Sequence, residues 1–105
     1  MTQFDVYLNP GKHTRNTYPF ILDIQNKLIE DIATRIVVPL GRAKYLSREE
    51  MKGLTPMIEF EGADLLIMIP QIASMPTKVL QEPIGTLLHM RDEIISALDF
   101  AITGI

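Results

Sequence analysis

The hydrophobic period changes once along this chain, and that change limits the folds open to it. Up to about residue 80 the apolar residues alternate or gather in short β-branched runs; from Ile84 to Ile102 they recur at helical spacing. A chain that alternates first and winds last specifies a sheet closed by one helix.

The strand signals come in order. "FDVYL" sets Phe4, Val6 and Leu8 against Asp5 and Tyr7, the pattern of a half-buried strand. "NPGKHTRNT", Asn9 to Thr17, is a loop with Pro10-Gly11 as its turn signal. "PFILDIQ" puts Phe20, Leu22 and Ile24 on one face and Ile21, Asp23 and Gln25 on the other. "RIVVPL", Arg35 to Leu40, is a β-branched run whose Pro39 suits a strand end or an edge. "LSREEMKGL" is polar and reads as a loop or a turn of helix. "MIEFEGADLLIMI" is the clearest hairpin, with Gly62-Ala63 as its connection. Its returning half, Leu65 to Ile69, is apolar on both faces, so both must be covered, one of them by a second subunit. "ASMPTKVL" adds a strand after a corner marked by Pro70 and Pro76.

In the last segment Ile84, Leu87, Leu88, Ile94, Ile95, Leu98, Ala101 and Ile102 share one helical stripe. Pro83 or Thr86 starts the helix on this reading, and Gly104 stops it. Arg91 interrupts the stripe, and Phe100 sits on the polar side with His89, Glu93 and Ser96. The helix also ends strangely. In "DFAITGI" the last turns are apolar, and Asp99 stands where the macrodipole favours a cation.

Composition narrows the partners. A 105-residue chain with 47% hydrophobic and 22% charged residues reads as one globular domain over 1–105. The net charge is −3 and the ten Lys and Arg residues are scattered, which disfavours direct nucleic-acid binding. Cysteine is absent, so thiolate metal sites and Cys nucleophiles are excluded. The start "MTQFD" lacks the basic and apolar stretches of a signal peptide, and no apolar run is long enough for a bilayer. A soluble cytoplasmic protein that does not engage a membrane is the expectation.

The sequence offers little for catalysis. His13 and His89 are the two histidines, and neither has a partner at ligand spacing, so no metal and no cofactor are expected. Glu30-Asp31 and Glu49-Glu50 are adjacent in sequence and point apart, as solvated surface does. No phosphate-binding glycine loop or nucleophile elbow is present. Scattered Arg, Thr and Glu residues on loops leave an RNA-cleaving site open as an alternative.

From "QFDVY" to the last residue, the strand order together with "DIQNKLI", "RIVVPL", "ASMPTKVL" and the terminal "FAITGI" resembles the CcdB family of bacterial toxins. The resemblance implies a mainly β fold: an SH3-like barrel of antiparallel strands with a C-terminal helix, shared with the MazF ribonuclease toxins. It implies a homodimer that binds the A subunit of DNA gyrase and traps the enzyme on cleaved DNA, catalysing nothing itself. A CcdA-like antitoxin would silence it. Carried onto this chain, the gyrase-binding residues are Asn26, Leu28 and Ile29, then Asp99, Ile102, Thr103, Gly104 and Ile105. The odd helix end is then a surface offered to a target, and a carboxylate against the dipole costs only about 0.3–1 kcal/mol. The antitoxin face is placed around Phe4, Tyr7 and the hairpin.

This chain departs from the resembled pattern at three positions. The family's terminal Trp-Gly-Ile becomes Thr103-Gly104-Ile105, an Asn becomes Asp99 and a Phe becomes Ile102. Losing an aromatic anchor costs on the order of 2 kcal/mol, tens-fold in affinity, so weaker or re-tuned poisoning is expected. Two alternatives stand beside it: a MazF-like endoribonuclease toxin, and a CcdB homologue that binds antitoxin but spares gyrase.

Overall fold

The computed structural model describes residues 2–26 and 33–104. Seven strands are found among them: β1 Asp5–Leu8, β2 Phe20–Asp23, β3 Thr34–Arg42, β4 Met57–Phe60, β5 Ala63–Ile67, β6 Ala73–Pro76 and β7 Gly85–Thr86. One helix follows, α1 Arg91–Thr103. The strands form a curled, all-antiparallel sheet in the order β4-β5-β3-β2-β1-β7, with β6 also on β3. The architecture is the mainly β sheet with a C-terminal helix that the residue pattern and the resemblance imply.

β3 is the hub, and its proline is central rather than marginal. Along one edge β3 pairs with β2. Along the other it pairs with β6 through Val37 and with β5 from Leu40. Pro39 falls between those two partners. Its carbonyl accepts the Met68 amide (3.0 Å), so its main-chain polar atoms face away from β2. The missing N–H therefore points at the gap where β6 has ended and β5 has not begun. A proline inside a central strand is tolerated because no ladder bond is due there.

The hairpin forms as expected, with its turn one residue earlier. Phe60 pairs with Ala63, leaving Glu61-Gly62 as a two-residue loop with φ of 52° and 76°. Positive φ at both positions is the type I′ geometry that matches strand twist.

Both faces of β5 are covered from within the chain. The main core packs Val6, Leu22, Val38, Leu65 and Ile67 under Ile94 and Ala97 of α1. A second cluster, Tyr7, Ile21, Val37 and Leu80, lies on the opposite face beneath the turn at Thr77–Val79 and the residue that follows it. A third, Leu46, Leu66 and Met68, sits beneath the turn at Ala43–Tyr45, with Tyr18 against it. This corrects the expectation that a second subunit covers β5, because Leu65 to Ile69 are all buried in one chain. A few residues of irregular backbone suffice to cover the outer side of β5.

Two other expectations shift. Tyr7 is buried and Leu8 is exposed, the reverse of the alternation read from the sequence. The helix starts at Arg91, since Gly85 and Thr86 are used as a strand against β1 and Leu88–Met90 forms a 3-10 turn. The Thr86 hydroxyl accepts the Leu88 amide at 3.1 Å, a local turn contact just before that segment. No helix among the described residues is long and apolar enough to cross a membrane.

Candidate functional site

α1 buries one narrow face and leaves its far end bare. Ile94 and Ala97 are buried, and Ile95 and Leu98 are half-buried against the same core. Beyond them the expected stripe leaves the protein: Ala101 is exposed, and Ile102, at 72% exposure, is the most exposed large hydrophobic among the described residues. Ile84 and Leu88 are exposed too, so the stripe is only partly a core stripe. Phe100 leans on the 51–55 loop, its ring 3.6 Å from where a Cβ on Gly53 would stand. Arg91 is exposed and makes only a 3.5 Å surface contact with Asp92.

The helix terminates without a cation. Gly104 takes the left-handed conformation (φ 75°), and its amide donates to the Phe100 carbonyl at 3.0 Å. Only glycine adopts that cap without a Cβ penalty. The Thr103 hydroxyl donates to the Asp99 carbonyl. The first satisfies a carbonyl that a helix end leaves open and the second ties the Thr103 side chain back onto the preceding turn, so the last turn is ordered while its apolar side chains stay in solvent. Asp99, Ile102, Thr103 and Gly104 are thereby brought together as one exposed turn.

Asn26 is exposed at the start of the connection between β2 and β3. It is linked to the helix indirectly: Ile24, two residues earlier, shares the core with Ile94 and Ala97. Leu28, Ile29 and Ile105 lie outside the described residues, as do Glu30 and Asp31.

The residue pattern did not single out the polar network at the base of this connection. The Asp23 carboxylate is completely buried, with Arg35 Nη2 at 2.7 Å and the Arg35 Nε–H donating to Oδ2 at 2.9 Å. The Gln25 amide donates to Oδ1 at 2.9 Å, and the Ile36 amide donates to the Gln25 side-chain oxygen at 3.0 Å. Burial pushes the Asp23 carboxyl above its usual range, more than the Gln25 amide and the Arg35 guanidinium pull it down. Beside it, the Tyr7 hydroxyl is buried without a hydrogen-bond partner. Burial and the Asp5 and Asp23 charges push that phenol up to about 12, against a smaller opposing pull from Arg35. The sequence held one hint, since Asp23 ends an apolar strand and Arg35 precedes the apolar run Ile36 to Leu40. Pairing them requires the β2–β3 register.

For other chemistry the surface offers little. Among the described residues no group of three or more His, Asp or Glu side chains could hold a metal ion. One open depression, about 550 Å³, brings Arg42 and Lys44 together with Glu50 and Asp64. Two acids beside two bases do not make a groove for a polyanion. Phe4 and Tyr7, assigned to an antitoxin face from the sequence, are buried and offer nothing to a partner.

A family model described as the CcdB protein matches residues 3–104. The chain belongs to the CcdB family. CcdB proteins are toxins of toxin–antitoxin modules, and the match spans the whole described sheet and helix. In this CcdB chain the exposed turn Asp99 to Gly104 and the stem at Asn26 both lie inside the matched range. This CcdB-family chain thus carries an exposed helix end, with Ile102 in solvent, beside its antiparallel sheet.

Proposed function

We propose that this CcdB-family toxin acts as a homodimer in the cytoplasm, binding the A subunit of DNA gyrase and trapping the gyrase–DNA cleavage complex. It performs no catalysis; its effect is differential binding to the cleaved state. A CcdA-like antitoxin neutralises it. The binding surface consists of Asn26, Leu28 and Ile29 with Asp99, Ile102, Thr103, Gly104 and Ile105.

The observation that carries this reading is the exposed Ile102 on a helix end held in order by Gly104. An isoleucine exposed at 72% gains nothing in the free protein and gains burial on a target. Preordering that turn lowers the entropy cost of binding it. The exposed Leu88 on the same segment gives a second copy apolar surface to cover, which supports the dimer.

The test mixes purified protein with gyrase from its own host, supercoiled plasmid and ATP, then stops the reaction with detergent and protease. Linear plasmid above the no-toxin control is expected, and removal of Gly104-Ile105 abolishes it while leaving fold and dimer intact. No linear plasmid from a folded dimer overturns the gyrase reading, and a truncated protein that still linearises DNA overturns the site. Light scattering showing a monomer at micromolar concentration overturns the dimer.

A further inference from the structure

The last turns of α1 expose one continuous face with two apolar edges. Asp99, Phe100, Ile102 and Thr103 are all exposed. At about 100° per residue, Asp99 and Thr103 lie between Ile102 on one side and Phe100 on the other, a face about 160° wide. Within α1 these two flanking residues are the exposed large hydrophobics. Phe100 also belongs to the capped turn, because its carbonyl accepts the Gly104 amide at 3.0 Å.

Phe100 is seated from one side only. The Cδ2 and Cε2 edge of its ring lies 3.6 and 3.7 Å from where a Cβ on Gly53 would stand, and the residue as a whole stays 43% exposed. Gly53 has φ 82°, which reserves the position for glycine. The loop beneath the ring is tied to itself. The Leu54 and Thr55 amides both donate to the Met51 carbonyl at 3.0 Å, and the Met51 amide donates to the Thr55 hydroxyl oxygen at 2.8 Å. A depression of about 380 Å³ runs between this loop and α1, lined by Gly53, Pro56 and Ser96 among others. Ser96 stands one turn before Phe100 on the same side of the helix, so the depression continues the face that Phe100 edges.

A ring that served only to hold the loop would bury most of its surface. Phe100 instead keeps one edge seated and the rest in water, so little side-chain freedom remains to be lost when a partner covers it. Seated aromatics beside a pocket dominate the binding energy of interfaces.

We propose that Phe100 is a contact and specificity residue of the target-binding surface, packing its free ring surface on the gyrase A subunit while a neighbouring target side chain enters the depression beside it. This rests on the gyrase reading. The occupant follows from continuity: Phe100 borders Asp99 and Thr103 on one helix face, so a protein that covers those two reaches the ring.

The test compares wild type with Phe100→Ala and Phe100→Tyr in the full-length chain. Three things are measured: affinity for purified gyrase A subunit, urea unfolding, and hydroxyl-radical labelling of Phe100 with and without gyrase A. Phe100→Ala is expected to fold and to lose about tenfold or more in affinity, mainly through faster dissociation. Phe100→Tyr keeps the ring and retains most of the affinity. Labelling of Phe100 in wild type falls when gyrase A is added. A variant Phe100→Ala with a lowered urea midpoint but wild-type affinity overturns the proposal, since the ring then only holds the loop. Should Phe100→Ala fail to fold, labelling of the wild type decides: protection supports the contact, and unchanged labelling in the complex overturns it. Wild-type protein that does not bind gyrase A overturns the gyrase reading and this assignment with it. Wild-type binding that Phe100→Ala equals overturns this assignment alone.

Discussion

The Thr103 hydroxyl donates to the carbonyl of Asp99, one helical turn back, so two residues of the proposed binding surface are locked to each other. Thr103 stands where the resembled pattern has an aromatic anchor. Thr103→Trp gives up one exposed hydrogen bond and adds a large apolar face beside Ile102. Affinity for gyrase A is expected to rise about tenfold or more, with unfolding stability changed by less than about 0.5 kcal/mol. Surface plasmon resonance and urea unfolding check the two halves.

Arg35→Met alone leaves the Asp23 carboxylate buried without its cation. The variant should lose about 3–5 kcal/mol at neutral pH, read from urea unfolding. The deficit depends on pH in a definite direction. Burial already raises the folded carboxyl's pKa, so the folded state holds the proton more tightly than the unfolded state. Stability charged to ionised Asp23 is therefore recovered as pH falls, and the gap to wild type narrows on acidification.

Tyr7→Phe removes a buried hydroxyl that has no partner. The variant should be at least as stable as wild type near neutrality, with a gain of up to about 1 kcal/mol. In alkali the difference grows. The Tyr7 phenol ionises at its ordinary value of 10 when unfolded but only at about 12 when folded. Its contribution to stability is complete below the first value and is lost between the two. Urea midpoints at about pH 8 and about pH 11 test this, with wild type losing more than Tyr7→Phe.

Glu61 occupies a left-handed position in the hairpin turn (φ 52°). Asparagine tolerates that conformation better, so Glu61→Asn should stabilise by about 0.5–1 kcal/mol. Gyrase poisoning should be unaltered, since the turn carries no residue of the proposed surface. Thermal unfolding and the plasmid assay together check it.

The fold class, the β4–β5 hairpin and the glycine stop at residue 104 were legible because each is set by neighbours in sequence: a period, a two-residue turn, a cap. The exposed helix end was legible as an anomaly, apolar residues and a carboxylate where local energetics favours neither. What covers each face was not legible. Leu66 and Met68 resemble residues awaiting a second subunit, yet Leu46 and Tyr18 reach them from distant loops. Pro39 reads as an edge residue until the switch of partner from β6 to β5 is known. The Asp23–Arg35 pair joins residues 12 apart that only the β2–β3 register brings into contact. Period and turn chemistry are local properties and survive in the bare sequence. Burial, register and ion pairing are properties of which distant segments meet, and the tertiary structure alone decides them.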